Sequence, residues 1–493
     1  MPLLETYNKI VDKLRSPFAT RVSLSRMDGK NSLEQEQKRV SHFQRLYDYY
    51  INDENQIKLY LLRSMKRTFS IEVLDKMFLP YFNITKRIID RICLAYKFPA
   101  ERYVIVPKNP ETLEPEPEAQ RAHDNYQKLL TSSNINSKSK EWNRLAKLGD
   151  TCYVQAIWRN NHLEYDIFFP HQLSVVEDSL NYLEPAEIEY KQVSADGVKR
   201  VYWSLTEHWI LDEDDKPIPD ENPWMGQNRY GVIPLLPLRL RETEGHWGEG
   251  DSQLVDANEK INILHVSSFD NSIMQAHGQL VGINTGIKST LDLGPRKLVQ
   301  ISNLPGESQA DLRYIHPEPA IEACMKQIDW IIRTTAMMHG LPAASVSIDV
   351  KAESGAAKSI DNWELLEIRE DEIEYLRPFE KKLFDISRTV WNFHSPAKDK
   401  ISDKAIFGID FVKPEAPMTK TEEIAYKKEL MTLGLWTPVD DMADEDEGID
   451  RETARAMIQE NLEIRNELND QFGLGNISLQ KPQADVQNQD LTR

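Results

Sequence analysis

The chain has 493 residues, too many for one compact core, so two or more folding units are expected. Its composition is that of a folded protein, 40% hydrophobic and 28% charged, and its longest nearly unbroken apolar stretch, Val232–Leu238, is cut by two prolines and falls far short of a membrane span. A formal charge of −19 argues against a protein that grips DNA tightly, because such affinity comes from neutralising phosphates. Glu5, Lys9, Asp12, Lys13 and Arg15 break up the amino terminus, so no apolar signal-peptide core is expected. Cys93, Cys152 and Cys324 lie far apart, which disfavours a disulfide framework or a cysteine-rich metal site and suits synthesis in a reducing cytoplasm.

Residues 1–82 read as mainly helical, with an aromatic-rich stretch at Phe43, Leu46, Tyr47, Tyr49, Tyr50 and Ile51. The spacing of Ile84, Ile88 and Ile92 predicts an amphipathic helix over 83–97, stopped at Phe98-Pro99. A strand at Arg102–Val106, a proline- and glutamate-rich connector at Pro107–Pro117, and helices over 118–131 and 137–148 follow. Two hairpins come next: Cys152–Trp158 with Leu163–Phe169 around Asn160-Asn161, and Ala186–Val193 with Val198–Leu205 around Asp196-Gly197, turn residues that tolerate positive φ. Asp212–Gly231 reads as a polar, proline-containing loop and Val232–Leu240 as a strand, making 1–245 an α+β region.

The most informative pattern spans residues 253–394. Leu254, Ala257, Ile261 and Leu264 make one helical stripe, continued on a shifted stripe by Val266, Phe269 and Ile273, which predicts a helix over Gln253–His277 about 37 Å long. Ile321, Met325, Ile328 and Ile332 predict a second helix over Ala320–His339. Between them, glycines and prolines punctuate the short β-type runs Leu280–Asn284, Lys297–Ser302 and Leu312–His316. A loop, Leu341–Gly355, leads to a long helix over Ala356–His394 whose stripe is Leu376, Phe379, Leu383, Ile386, Val390 and Phe393; Pro378 is expected to kink or interrupt it. Thr419 and Glu422 form a capping-box signature for a helix to Leu433; an acidic link, Asp440–Glu447, precedes another helix over Asp450–Asn469, and a polar tail closes the chain.

Four segments carry a family resemblance. Asn83-Ile84-Thr85-Lys86-Arg87-Ile88-Ile89-Asp90, Gly248-Glu249-Gly250-Asp251-Ser252-Gln253-Leu254-Val255-Asp256-Ala257-Asn258, Leu293-Gly294-Pro295-Arg296-Lys297-Leu298-Val299-Gln300 and Glu353-Ser354-Gly355-Ala356-Ala357-Lys358-Ser359 resemble, in that order, the early wing helix, stem, clip and tunnel-loop segments of tailed-bacteriophage portal proteins. The resemblance spans roughly residues 80–415. It implies a portal-like α+β fold: a wing over 1–245, stem helices within 246–277 and 320–340, a small β-rich clip over 278–319, a tunnel loop over 341–355, a long wing helix with a return strand over 356–413, a helical crown over 414–471 and a flexible tail over 472–493.

The function implied is a ring, twelve-fold in that family, at one capsid vertex of the virion, assembled from subunits made in the host cytoplasm. Double-stranded DNA passes through it during packaging and ejection, and acidic walls suit such passage because they repel phosphate. Ser345, Val346, Ser347, Ile348, Asp349, Val350 and Lys351 would face the DNA, and Asn284, Thr285, Lys288, Arg296 and Lys297 would dock partners at the clip. The implied partners are further copies of the chain, the terminase large subunit, major capsid and scaffolding proteins and a head–tail adaptor, with no membrane. A head–tail connector is the alternative, disfavoured by the chain length and the long helix after the loop.

No catalytic constellation competes with this expectation. Glu353–Ser359 comes near a phosphate-binding loop but has Ala357 where glycine must precede the lysine, so a loop-to-helix junction is expected instead. The acids of Asp440–Glu447 lack the order of a calcium loop and read as a solvated linker. The histidines show no paired metal-ligand spacing, and His339 and His394 beside helix ends suit capping or packing. Neither cofactor nor metal is expected, and the chain itself should be no enzyme. An enzyme with a poorly marked site would be distinguished by ATPase, nuclease or protease turnover of the purified chain.

Overall fold

Helical stripes at the amino-terminal side and alternating patterns after it fold as their periods dictate, into an α+β structure. The computed structural model describes residues 30–66, 79–105, 117–194, 197–214, 216–222, 224–277, 279–283, 311–315, 321–342, 363–412, 420–433, 436–445 and 451–472. Two units divide the chain, Met1–Pro414 and Glu415–Arg493.

In the first unit, α1 (Lys30–Ile51) and α2 (Glu54–Met65) are joined at Asp53, whose side chain accepts a hydrogen bond from Gln56 N and so caps α2. The aromatic run of α1 is core: Phe43, Leu46, Tyr49 and Tyr50 are buried, while Ile51 is exposed. Helix α3 (Thr85–Ile92) buries Ile88, Ile89 and Ile92 and ends with its stripe, short of the expected residue 97. Strand β1 (Glu101–Ile105) pairs antiparallel with β11 (Ile406–Asp410), the return strand that follows the long helix α8 (Trp363–His394).

Helices α4 (Pro117–Ser132) and α5 (Ile135–Gly149) lead into the sheets. One sheet has the order β3-β2-β8, with β2 (Thr151–Arg159) between β3 (His162–Phe168) and β8 (Leu235–Arg239). The other is a meander, β4-β5-β6-β7, of Leu173–Glu177, Pro185–Ser194, Gly197–Ser204 and His208–Leu211. Both expected hairpins form, with Asn160 and Asn161 at φ of 52° and 63° and Gly197 at 129°. Asp212–Gly231 is mostly irregular, and Asn222 and Asn228 pin it by side-chain bonds to Ile210, Ile218, Ser204 and Val232.

Helix α8 runs past Pro378 without a break, so the expected interruption does not occur. Proline removes one donor, and the packing of α8 compensates: Leu376, Phe379, Leu383 and Val390 are buried, and Phe379 meets Trp142 edge-on at 5.8 Å. At the centre, Glu380 on α8 holds Arg102 of β1 through two bonds of 2.6 and 3.0 Å and accepts from Tyr96 at 2.7 Å. Both charged side chains are buried, so each depends on the other.

The second unit comprises α9 (Lys420–Thr432), α10 (Pro438–Glu445) and α11 (Arg451–Phe472). The acidic link is therefore mostly helix. Thr437 and Asp440 cap each other reciprocally, Pro438 occupies the first turn, and Asp440 and Asp441 face the positive end of the helix dipole. Among the described residues, no helix is long and apolar enough to cross a membrane. The expected clip run Lys297–Ser302 and the tail beyond Phe472 lie outside the described residues.

Candidate functional site

The two stem stripes form helices α6 (Ser252–His277) and α7 (Ile321–Met338), which pack against each other as a hairpin. With 26 residues, α6 is about 39 Å long. Beyond it, β9 (Gln279–Ile283) pairs antiparallel with β10 (Asp311–Ile315), placing Gln279 opposite Ile315 and Ile283 opposite Asp311. The hairpin of helices thus continues as a two-stranded ribbon.

Burial along the hairpin is uneven. Leu254, Val255, Ile261 and Val266 of α6 and Ile328 and Ala336 of α7 are buried. Met325, Trp330, Met337 and Met338 are exposed by 50, 65, 59 and 65%, and Phe269 by 38%. Of the expected second stripe, Ile328 is inside and Met325 outside. Large apolar side chains held in water are costly unless something covers them.

Two buried asparagines tie α6 to the segment that opens α3. Asn258 accepts from Ile84 N at 2.7 Å, Thr85 N at 3.1 Å and Thr85 Oγ1 at 3.2 Å, and donates to Phe82 O at 2.9 Å. Asn262 accepts from Phe82 N at 2.7 Å. Asn258 therefore satisfies donors at the start of α3 that no side chain of α3's own leading residue caps. Arg45 of α1 adds ion pairs to Asp256 and Glu259 at 2.8 and 2.7 Å.

At the root of the hairpin, α6 and α7 meet through Asp251 and His339. Asp251 Oδ1 accepts from Leu254 N at 3.1 Å, which caps α6, and Oδ2 lies 2.6 Å from His339 Nε2, just past the end of α7. His339 Nδ1 lies 2.7 Å from Thr335 O. Both ring nitrogens face oxygens that only accept, so the imidazole fits as a doubly protonated cation, at a helix end where positive charge is favoured. Burial opposes that charge, but Asp251 outweighs it and raises the His339 pKa above its ordinary value.

The two glycines just before Asp251 are there for space. A Cβ on Gly248 would stand 2.3 Å from Asp150 Cβ, and one on Gly250, at φ +68°, 2.7 Å from Leu46 Cδ1. Asp150 in turn accepts from Gly250 N at 2.8 Å and pairs with Arg241. A cleft of about 750 Å³ opens beside this root, lined among others by Lys147, Asp150, Arg241, His339 and Glu372. Lys147 binds Glu372 at 2.7 Å, while burial pushes the Glu372 carboxyl up.

Of the DNA-facing residues expected in the tunnel loop, Ser345, Val346, Ser347, Ile348, Asp349, Val350 and Lys351 lie outside the described residues. So do Asn284, Thr285, Lys288, Arg296 and Lys297 of the clip, and Glu353–Ser359. The described start of the loop is anchored: Leu341 is buried, its N–H bonds Ala336 O at 2.9 Å, and Gly340 takes φ +69° against Ile368. His394 stacks on Trp158 at 5.0 Å and bonds Tyr230 at 2.8 Å, the packing role expected of it. Asn262 was not singled out in the sequence; Asp251 and Asn258 entered only as members of the Gly248–Asn258 segment, and His339 only as a residue suited to capping or packing. The available signal was a pair of asparagines four residues apart inside an otherwise apolar stripe.

No family model and no curated protein matches the chain. Among solved structures, a chain from the virion of a native gene transfer agent particle aligns at 11% identity and a TM-score of 0.39, covering 71% of this chain and 85% of that one. A chain from the neck of an empty gene transfer agent particle, computed with C6 symmetry, aligns at 11% identity and a TM-score of 0.43, covering 78% and 92%. Both scores lie below one half, and neither likeness fixes the fold or role of this chain.

Proposed function

We propose that the chain is a portal protein, a ring-forming channel subunit at one capsid vertex through which double-stranded DNA enters and leaves a virion. The observation that carries this reading is the hairpin: two long helices, prolonged by a β-ribbon, rooted in an α+β body and leaving the large apolar side chains Met325, Trp330 and Met337 exposed. The four segments resembling portal proteins follow one another along the sequence in the matching order. In this reading the hairpin is the stem, residues 278–319 the clip, 341–355 the tunnel loop, α8 and β11 the long wing helix and return strand, and the second unit the crown.

Neighbouring copies would cover the apolar stem faces by heterologous contacts, which close into a ring when the rotation fits. Family resemblance sets the number at twelve. The charge of −19 per chain makes a mostly acidic ring, in which sparse basic groups such as Lys351 touch phosphate briefly and release it. Hydrolysis of ATP would be the work of a separate terminase docking at the clip, with capsid, scaffolding and adaptor proteins as further partners; the chain itself catalyses nothing.

The stem face supplies the test. Trp330→Ser with Met337→Ser should leave the circular dichroism and melting of the subunit close to wild type, because both side chains are solvent-exposed. The same pair should abolish the large assembly on size-exclusion chromatography with light scattering. Wild-type assembly that survives this change would remove the hairpin from the interface and with it the support for the reading.

A further inference from the structure

The side chains that the hairpin leaves in water follow an order. On α7, Lys326, Trp330, Arg333 and Met337 are exposed and recur three and four apart, so they share one ridge, turned from the buried Ile328, Thr335 and Ala336. On α6, Gln253 and Lys260 are exposed and the Asp256 side chain keeps 49% of its surface. These three share a second ridge, on the far side of α6 from the buried Asn258 and Asn262. Within the chain neither ridge covers the other, since Trp330 stays 65% exposed.

The hairpin also sets the heights of the two ridges. Asp251 is level with His339 at one end, and Gln279 is level with Ile315 at the other. With equal rise on both helices, Gln253 comes level with Met337, Asp256 with about Arg333 and Lys260 with about Trp330. Each level joins groups that attract: a carboxylate and a guanidinium, an ammonium and an indole face, an amide stem and a thioether. Asp256 already holds Arg45 and Arg333 already holds Asp329, both at 2.8 Å. A carboxylate and a guanidinium each have sites for a second partner.

We infer that the α7 ridge of one copy seats on the α6 ridge of the next, Trp330 against Lys260, Arg333 against Asp256 and Met337 against Gln253. The inference rests on the ring reading and names its contact. In a closed cyclic assembly, corresponding residues of all copies share one height, so levels within a hairpin hold between neighbours. The contact is heterologous, each copy giving α7 to one neighbour and α6 to the other. The pattern also fixes the register. A slide of one helical turn brings Lys326 against Lys260 in one direction and Arg333 against Lys260 in the other, and like charges face to face reject both.

Native mass spectrometry on the full-length protein over a range of concentrations tests it. Asp256→Arg and Arg333→Glu should each need about tenfold more protein to assemble, because like charges then meet at every contact. Mixed in equal amounts, the two variants should assemble at the wild-type concentration, since alternating copies restore an arginine–carboxylate pair at each contact. A second measurement leaves those ion pairs alone. Gln253→Cys with Met337→Cys, treated with a short bismaleimide, should give a ladder of covalent multimers on a denaturing gel that neither single change gives. Wild-type rings that survive both reversals, a mixture that stays unassembled, or a cysteine pair linked only within the chain would overturn the pairing and leave the ring reading standing. Wild-type protein that is monomeric at every concentration would overturn both.

Discussion

Replacing Asp251 by alanine removes two supports of the stem at once. The N-cap bond to Leu254 N is lost, at about 1 kcal/mol, and so is the charge-assisted bond to His339, worth roughly 1.5–3 kcal/mol. The two side chains are 20 and 13% exposed, so solvent screens the pair little. Together about 2.5–4 kcal/mol of local stability is at stake, which corresponds to roughly a hundred- to a thousandfold faster opening of the root. Hydrogen exchange read by mass spectrometry over residues 252–258 and 335–341 measures it without requiring the whole chain to unfold in two states. Asp251→Asn should fall between, since asparagine caps as well but carries no charge.

The pH dependence has a definite sign. His339 has its folded pKa raised above the ordinary 6.5, so its contribution is fully present below that value and is lost as pH rises through the folded value. Protection of the root, corrected for intrinsic exchange, should therefore weaken on the alkaline side in the wild type. In Asp251→Asn this alkaline weakening should disappear, because the carboxylate that outweighs burial is gone. Wild-type protection in Asp251→Ala, or a root indifferent to pH across this window, would refute the clasp.

Other expectations follow from the same contacts. Glu380→Ala strands Arg102 in the core and should cost about 3–5 kcal/mol in chemical denaturation, whereas Glu380→Leu with Arg102→Met should recover much of it. His246 is buried, lies 2.6 Å from Tyr153 Oη and 2.7 Å from Tyr182 O, and burial lowers its pKa to about 4. Its share of stability is present above pH 6.5 and is lost as pH falls toward 4, about 3 kcal/mol in all, so acid titration of His246→Gln should be flatter than wild type. Replacing Val346, Ile348 and Val350 together by glycine should leave assembly intact and impair DNA packaging or retention in a packaging assay, with normal full-length packaging counting against the loop's role.

What the sequence disclosed depended on how local each signal was. The hairpins around Asn160-Asn161 and Asp196-Gly197 were legible because turn chemistry and alternation coincide within twenty residues. Strands β4 and β7 were missed because five and four residues give too few alternations to stand out. The acidic run at 440–447 looked like a linker because charge masked the Thr437-Pro438-Val439-Asp440 start of a helix. Both stem helices were visible as stripes, and their root was not. Asp251 and His339 are 88 positions apart and Asn258 and Ile84 are 174 apart, so only the folded chain brings them together.

Electron microscopy of the purified full-length protein, paired with native mass spectrometry over a range of concentrations, tests the central claim most directly. Closed rings with an open central channel and a mass that is an integer multiple of the subunit, twelve by family resemblance, are the expected result. Monomers or dimers at every concentration, with no ring in any field, would contradict it.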